Sequence, residues 1–251
     1  MLKRAYYLCA YALGWLTFGV CALAFNFLCA VLLVLPGRKT WGRVARATLH
    51  HFFSIWLRSL RALGILRVQW RGFESVPLKK PAVWVANHPG FLDATFLLAC
   101  LPDVICVFKP SMIRNPFLAP AAVVAGYAAG EYGPDFIREA VGKIAEGRSV
   151  LIFPEGTRTS LDRDLNPLKS GFALIAERAR VPVRVVVIRA SRDLLPRGRP
   201  WWQWPRLPAF AHVQFDSSFT VDGDHPARET TARVEACLQA ALRAPLQPVT
   251  A

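Results

Sequence analysis

AVWVANHPGFLDATFLLACLPDVICVF, residues 82–108, decides the fold. Its first six residues are apolar apart from the closing Asn87 and suit a buried strand. Pro89-Gly90 then turns the chain. ATFLLACL (94–101) has the length and composition of a helix, and VICVF (104–108) returns as a second strand. A strand, a crossover helix and a strand make the unit from which parallel sheets are built.

The same alternation runs outward on both sides. RVQWRG (67–72) and SVLIF (149–153) read as strands, as does VRVVVI (183–188). PDFIREAVGKIAEG (134–147) has an early acidic residue, helical spacing and a closing glycine, and LKSGFALIAERA (168–179) is helical. The expectation is an α/β domain over 67–251, with a mostly parallel central sheet flanked by helices. RGRPWWQWPRLP (197–208) interrupts the pattern. Its tryptophans and arginines suit either a membrane interface or a loop packed on the domain. Residues 226–243 read as a closing helix.

The chain of 251 residues carries a net charge of +14 beside a hydrophobic fraction of 53%. That charge calls for anionic partners. So much apolar matter argues for a lipid surface and against nucleic acid. Six cysteines without a C-x-x-C pair give no zinc or disulfide pattern and fit buried, reduced thiols.

Ala5–Leu35 contains no charged side chain, which suggests a membrane helix. The run exceeds what the hydrocarbon core requires, so residues 1–37 are expected to form a membrane anchor, as a single span or as a re-entrant hairpin broken near Gly14, Gly19 or Asn26. It is too long for a cleaved signal peptide. Basic residues are more numerous after it (Arg38, Lys39, Arg43, Arg46) than before it (Lys3, Arg4), which places the main domain on the cytoplasmic side of the inner membrane. Residues 38–66 hold a basic amphipathic helix, seated in the headgroup region or packed on the main domain. Its His50 and His51 are given no chemistry.

Two blocks carry chemistry. His88 ends the strand 82–87, where open α/β sheets place their ligand crevice. Asp93 opens the next helix. A spacing of five does not stack two side chains on one helix face, but a strand–turn–helix junction can bring them together. Imidazole takes a proton from a hydroxyl near pH 7, and a carboxylate on its other nitrogen fixes the tautomer. With no serine or cysteine nucleophile beside the pair, that hydroxyl belongs to a substrate. A structural histidine is the ordinary alternative. SVLIFPEGTRT (149–159) is another buried strand that runs into a polar turn with Glu155, Gly156, Thr157 and Arg158. Arg158 suits bidentate phosphate binding, and Gly156 permits close backbone approach. Taken alone, P-E-G is a plain turn.

N-H-x-x-x-x-D followed by F-P-E-G-T-R resembles the lysophospholipid acyltransferase family, typified by 1-acylglycerol-3-phosphate acyltransferase. Phe108-Lys109-Pro110, the stretch Leu168–Ala176 and Val181-Pro182-Val183 extend the similarity across roughly residues 65–220. The resemblance implies His88 as general base, oriented by Asp93. Arg158 and Lys109 would bind the acceptor's phosphate, and Glu155, Gly156 and Thr157 would shape the substrate site. It also implies an acyl-CoA or acyl-carrier-protein donor, a lysophospholipid acceptor drawn from membrane lipids, no acyl-enzyme, and no metal or bound cofactor. One stretch departs from the family: AGYAAGEYGPD (125–135) lacks the basic residue usual there, and no Lys or Arg lies between Arg114 and Arg138. Another lysolipid acceptor, such as a lyso-aminolipid, therefore stays open. So do a lipid hydrolase using the same pair and a non-catalytic membrane-binding protein.

Overall fold

The computed structural model describes residues 1–35, 38–108, 115, 119–129, 133–191, 193–221 and 226–245. Helices α1 (Leu2–Leu32) and α2 (Arg38–Ala62) precede strand β1 (Leu66–Arg71). The crossover unit follows as β2 (Val83–Ala86), α3 (Asp93–Cys100) and β3 (Val104–Phe108). Next come α4 (Ala119–Ala125), β4 (Ala128–Ala129), α5 (Pro134–Ala145), β5 (Ser149–Ile152) and α6 (Gly171–Ala179). The remainder is β6 (Val183–Ala190), β7 (Ala209–Phe219) and α7 (Ala227–Arg243).

The sheet order is β1-β7-β6-β2-β5-β3-β4, and every pairing is parallel except β6 with β7. The central strands are buried on both faces, which accounts for their unbroken apolar runs. Trp84, Ala86 and Leu151 point into one layer with Phe96, Leu97 and Trp56. Val83, Val85, Val150 and Ile152 point into the other with Ile137, Phe172 and Val234. Helices therefore cover both faces, as the alternation predicts.

β7 has no counterpart in the expectations. AFAHVQFDSSF buries Ala209, Ala211 and Val213, with Phe210 exposed and His212 half-buried between them. Alanine, serine and glutamine supply little strand propensity. The segment is a strand because it pairs with β6 and β1 on either side.

The apolar N-terminal run is one unbroken helix, so it is not the hairpin form. Two of the three suspected break points, Gly14 and Asn26, are buried and have packing roles, while a Cβ on Gly19 would meet nothing within 4 Å. A Cβ on Gly14 would stand 2.8 Å from Leu60 Cδ2, and the Gly14 carbonyl accepts a bond from Trp56 Nε1 at 2.9 Å. Asn26 donates to Ala22 O within the helix and accepts from Ala121 N at 3.2 Å. The opposite face of α1 exposes Leu8, Leu13, Leu16, Val20, Leu23 and Phe27.

α2 takes the packed form. Trp56, Leu57 and Leu60 are buried against the sheet layer, and His50 Nδ1 and Ser54 Oγ donate to the Leu98 and Ala99 carbonyls of α3. Arg46 reaches Asp103 and the Ala125 carbonyl.

Candidate active site

β2 and β5 are adjacent and parallel, with Val85 opposite Ile152. Three residues further along each chain stand His88 and Glu155, so register alone brings them to one level at the sheet's carboxyl edge. Asn87 fixes the exit of β2. Its side chain accepts from Ile188 N at 2.7 Å and donates to Ile188 O at 2.8 Å, replacing a rung of the ladder with β6.

Beyond Asn87 the chain turns at Pro89-Gly90. A Cβ on Gly90 would come within 3.0 Å of Leu194 O, so the turn needs glycine for close approach. Asp93 then opens α3 and reaches back. His88 Nδ1 lies 2.8 Å from Asp93 Oδ2, and Gly90 N donates to the same oxygen at 2.7 Å. The Phe153 ring stacks on the imidazole at 4.3 Å between centroids. His88 is 21% exposed and Asp93 1%. With Nδ1–H donated to Asp93, Nε2 is the ring's acceptor. Burial pushes the Asp93 carboxyl above its ordinary range, while the bonds from His88 and Gly90 pull it back.

Glu155 is held differently. Oε1 accepts His88 N at 2.7 Å, Oε2 accepts Asn166 N at 2.9 Å, and Thr159 Oγ1 lies 2.9 Å from both. Burial raises this carboxyl too, opposed by those donors. Thr159 N also donates to His88 O at 2.7 Å. The glutamate therefore fastens the two motif turns together through backbone groups.

Gly156 adopts φ +68°, and a Cβ there would lie 3.1 Å from Lys169 Nζ. Thr157 is half-buried in the same turn. Arg158 donates through Nη1 to Pro196 O at 3.0 Å and Leu195 O at 3.3 Å, and its guanidinium lies 6.0 Å over the Phe91 ring. Leu195 O also accepts Phe91 N at 3.1 Å. Leu195 itself has φ +52°, an uncommon conformation for a bulky residue that turns its carbonyl to these donors. The segment after β6 thus forms a wall beside His88 and Arg158 at the sheet's carboxyl edge.

The acyltransferase family model matches residues 67–189, from the start of β1 through both motif turns to the end of β6. Those residues belong to the acyltransferase family. A chloroplastic 1-acyl-sn-glycerol-3-phosphate acyltransferase of Brassica napus is 29% identical over 61% of this chain and 46% of its own. The 1-acyl-sn-glycerol-3-phosphate acyltransferase of Pseudomonas aeruginosa is 27% identical over 73% of this chain and 71% of its own. The chain thus spans less than half of the plant relative's length. The 1-acyl-sn-glycerophosphate acyltransferase PlsC of Thermotoga maritima has the same fold, with a TM-score of 0.76 at 20% identity, covering 98% of this chain and all of that one.

Within this acyltransferase fold, His88, Asp93, Glu155, Gly156, Thr157 and Arg158 gather at the ends of β2 and β5, while Lys109 lies outside the described residues. Sequence reasoning missed Asn87, Phe153, Thr159, Asn166 and Lys169 as parts of the site. Asn87 opens the first motif and Thr159 directly follows the second, so both are visible there in hindsight; Asn166 has no local mark. Around Gly126, in the stretch without a cation of its own, Arg46 from α2 and Lys143 from α5 each place a nitrogen 3.8 Å from where a Cβ would stand.

Proposed function

We propose that this chain transfers a fatty acyl group from acyl-CoA or acyl-carrier protein to the free hydroxyl of a lysophospholipid, 1-acylglycerol-3-phosphate, in phospholipid biosynthesis. The observation that carries the reading is the Nδ1–Asp93 bond, which orients His88 with Nε2 as proton acceptor at a partly exposed strand end. Nε2 takes the acceptor's hydroxyl proton as its oxygen attacks the thioester carbonyl. The carbon–sulfur bond then breaks, and the departing thiolate recovers the proton from the imidazolium. Buried Asp93 stabilises the imidazolium in between. Arg158 serves as phosphate ligand, assisted by Lys109, and the reaction as written needs no metal or bound cofactor.

The outward apolar face of α1 supports seating in a membrane. Its inward face is packed along the domain, as in the contacts of Trp15 with Trp56 and of Asn26 with Ala121. This favours a helix lying in one leaflet, with the domain on the cytoplasmic side where the basic flanks direct it.

The test is incubation of the purified chain with each donor and 1-acylglycerol-3-phosphate, followed by lipid mass spectrometry. Phosphatidate should appear with the wild type and vanish with His88→Ala. Free fatty acid as the main product would identify a hydrolase instead.

A further inference from the structure

The first turn of α1 and the loop 193–208 enclose a bowl of about 900 Å³ that the catalytic reading leaves unused. Lys3, Arg4 and Tyr7 line it from the helix, and Arg199, Trp204 and Arg206 from the loop. The bowl's one carboxylate, Asp193, accepts a bond from the Arg206 backbone N–H, and its carbonyl accepts from Arg199. None of the ion pairs among the described residues involves the four cations. Arg4 instead lies 6.0 Å over the Trp204 ring. Four cations thus face one cavity against a single carboxylate, and none of them is held in an ion pair among the described residues.

An apolar trough of about 590 Å³ adjoins it, and Trp204 lines both. One wall is a stripe of α1 from Leu8 through Tyr11 and Trp15 to Leu23; the other is Trp201 and Trp202. Tyr11 fastens the two walls by donating to Trp201 O at 2.7 Å. The stripe is about 22 Å long at 1.5 Å per residue. One leaflet's share of a roughly 30 Å hydrocarbon core is shorter than that. A basic bowl by itself fits any phosphate. A bowl continuous with a tryptophan-walled trough fits a phosphate that carries an acyl chain.

We propose that this is a second lipid site, which holds an anionic diacyl phospholipid with its headgroup in the bowl and a chain in the trough. The site does not depend on the transfer reaction. The lipid braces the loop whose Leu195 and Pro196 carbonyls engage Arg158, so its place is beside the catalytic edge rather than within it.

The full chain is tested against phosphatidylglycerol and phosphatidylcholine vesicles at physiological salt, and by native mass spectrometry after extraction into a neutral detergent with phosphatidylglycerol added. The combined variant Lys3→Gln, Arg4→Gln, Arg206→Gln changes three exposed side chains. It should lose about tenfold or more of the preference for phosphatidylglycerol and lose the retained lipid. A control, Arg138→Gln, Arg178→Gln, Arg228→Gln, removes the same charge from α5, α6 and α7 on the opposite layer and should keep both. Equal loss in the two variants would reduce the effect to diffuse net charge and overturn the site. Displacement of the lipid by inorganic phosphate at equal concentration would also overturn it, since the trough would then contribute nothing. Retention of phosphatidylcholine as strongly as phosphatidylglycerol would remove the headgroup role of the bowl.

Discussion

Asp93 and Glu155 are both buried carboxylates at the ends of neighbouring strands, and burial raises the pKa of each. They differ in what surrounds them. Asp93 presents one oxygen, Oδ2, to both His88 and Gly90, while Oδ1 meets no donor among the described residues. Glu155 has both oxygens occupied, three of its four contacts reaching Thr159 or Asn166 in the turn that follows it and one reaching His88 N. A buried carboxylate with few donors acts on what it faces, here an imidazole. A carboxylate saturated by backbone N–H groups and a hydroxyl holds a shape. In the proposed reaction the two turns therefore divide the work: the one after β2 would carry the proton chemistry, and the one after β5 fixes its position.

The largest effect should come from the turn after β2. His88→Ala is expected to cut turnover by about 10²–10⁴-fold, the usual contribution of a general base, with the thermal midpoint little changed. Asp93→Asn should lower turnover by about 10²-fold or more, because the imidazolium loses its counter-charge. Its effect on stability has the opposite sign. A carboxyl whose folded pKa is raised contributes stability in acid that is lost as pH rises through the folded value. Asparagine can keep both Oδ2 bonds without the buried charge, so at pH 7 the variant should melt no lower than the wild type, and the difference should shrink on acidification. A variant that is both inactive and markedly less stable at pH 7 would place Asp93 with Glu155 as an architectural group.

Glu155→Gln tests the other half. The amide nitrogen cannot accept, so one backbone N–H, from His88 or Asn166, is left facing a donor. That should cost about 1–3 kcal/mol, or roughly 2–12 °C in the melting midpoint. Activity measured well below that midpoint should fall less than in Asp93→Asn. If Glu155→Gln melts normally but turns over as poorly as Asp93→Asn, the division between the turns is wrong.

The two turns were also unequally legible. His88 and Asp93 are joined by a local junction whose strand, Pro-Gly turn and helix are all written in adjacent residues. The partners of Glu155 are backbone groups of His88 and Asn166, which only the β2–β5 register and the following loop bring near. Composition does not mark backbone donors. The same reason hides β7, whose pairing with β1 spans most of the chain. On α1, Gly14, Gly19 and Asn26 read as breakers because intrinsic propensity disfavours them. Gly14 and Asn26 are there to admit Leu60 and to meet Ala121, which are partners distant in sequence.

Arg158 sits between the two halves of the comparison, and its variant should have the smallest effect. It follows Glu155 in the architectural turn, yet its guanidinium reaches toward the wall over Phe91. Two roles are consistent with that position: a brace for the Leu195 and Pro196 carbonyls, or a ligand for the acceptor's phosphate. The brace uses only Nη1, so the other guanidinium donors are available to an anion. Arg158→Ala should raise the KM for 1-acylglycerol-3-phosphate about tenfold, near the lower end of a charge-assisted contact worth roughly 1.5–3 kcal/mol. The donor KM should move less. A lysolipid acceptor without the phosphate separates the roles, because it has nothing for the guanidinium to grip. If Arg158→Ala impairs both acceptors equally, the residue only braces the wall and belongs with Glu155. A selective loss with the phosphate-bearing acceptor assigns it to the substrate, so that the turn after β5 contributes binding as well as architecture.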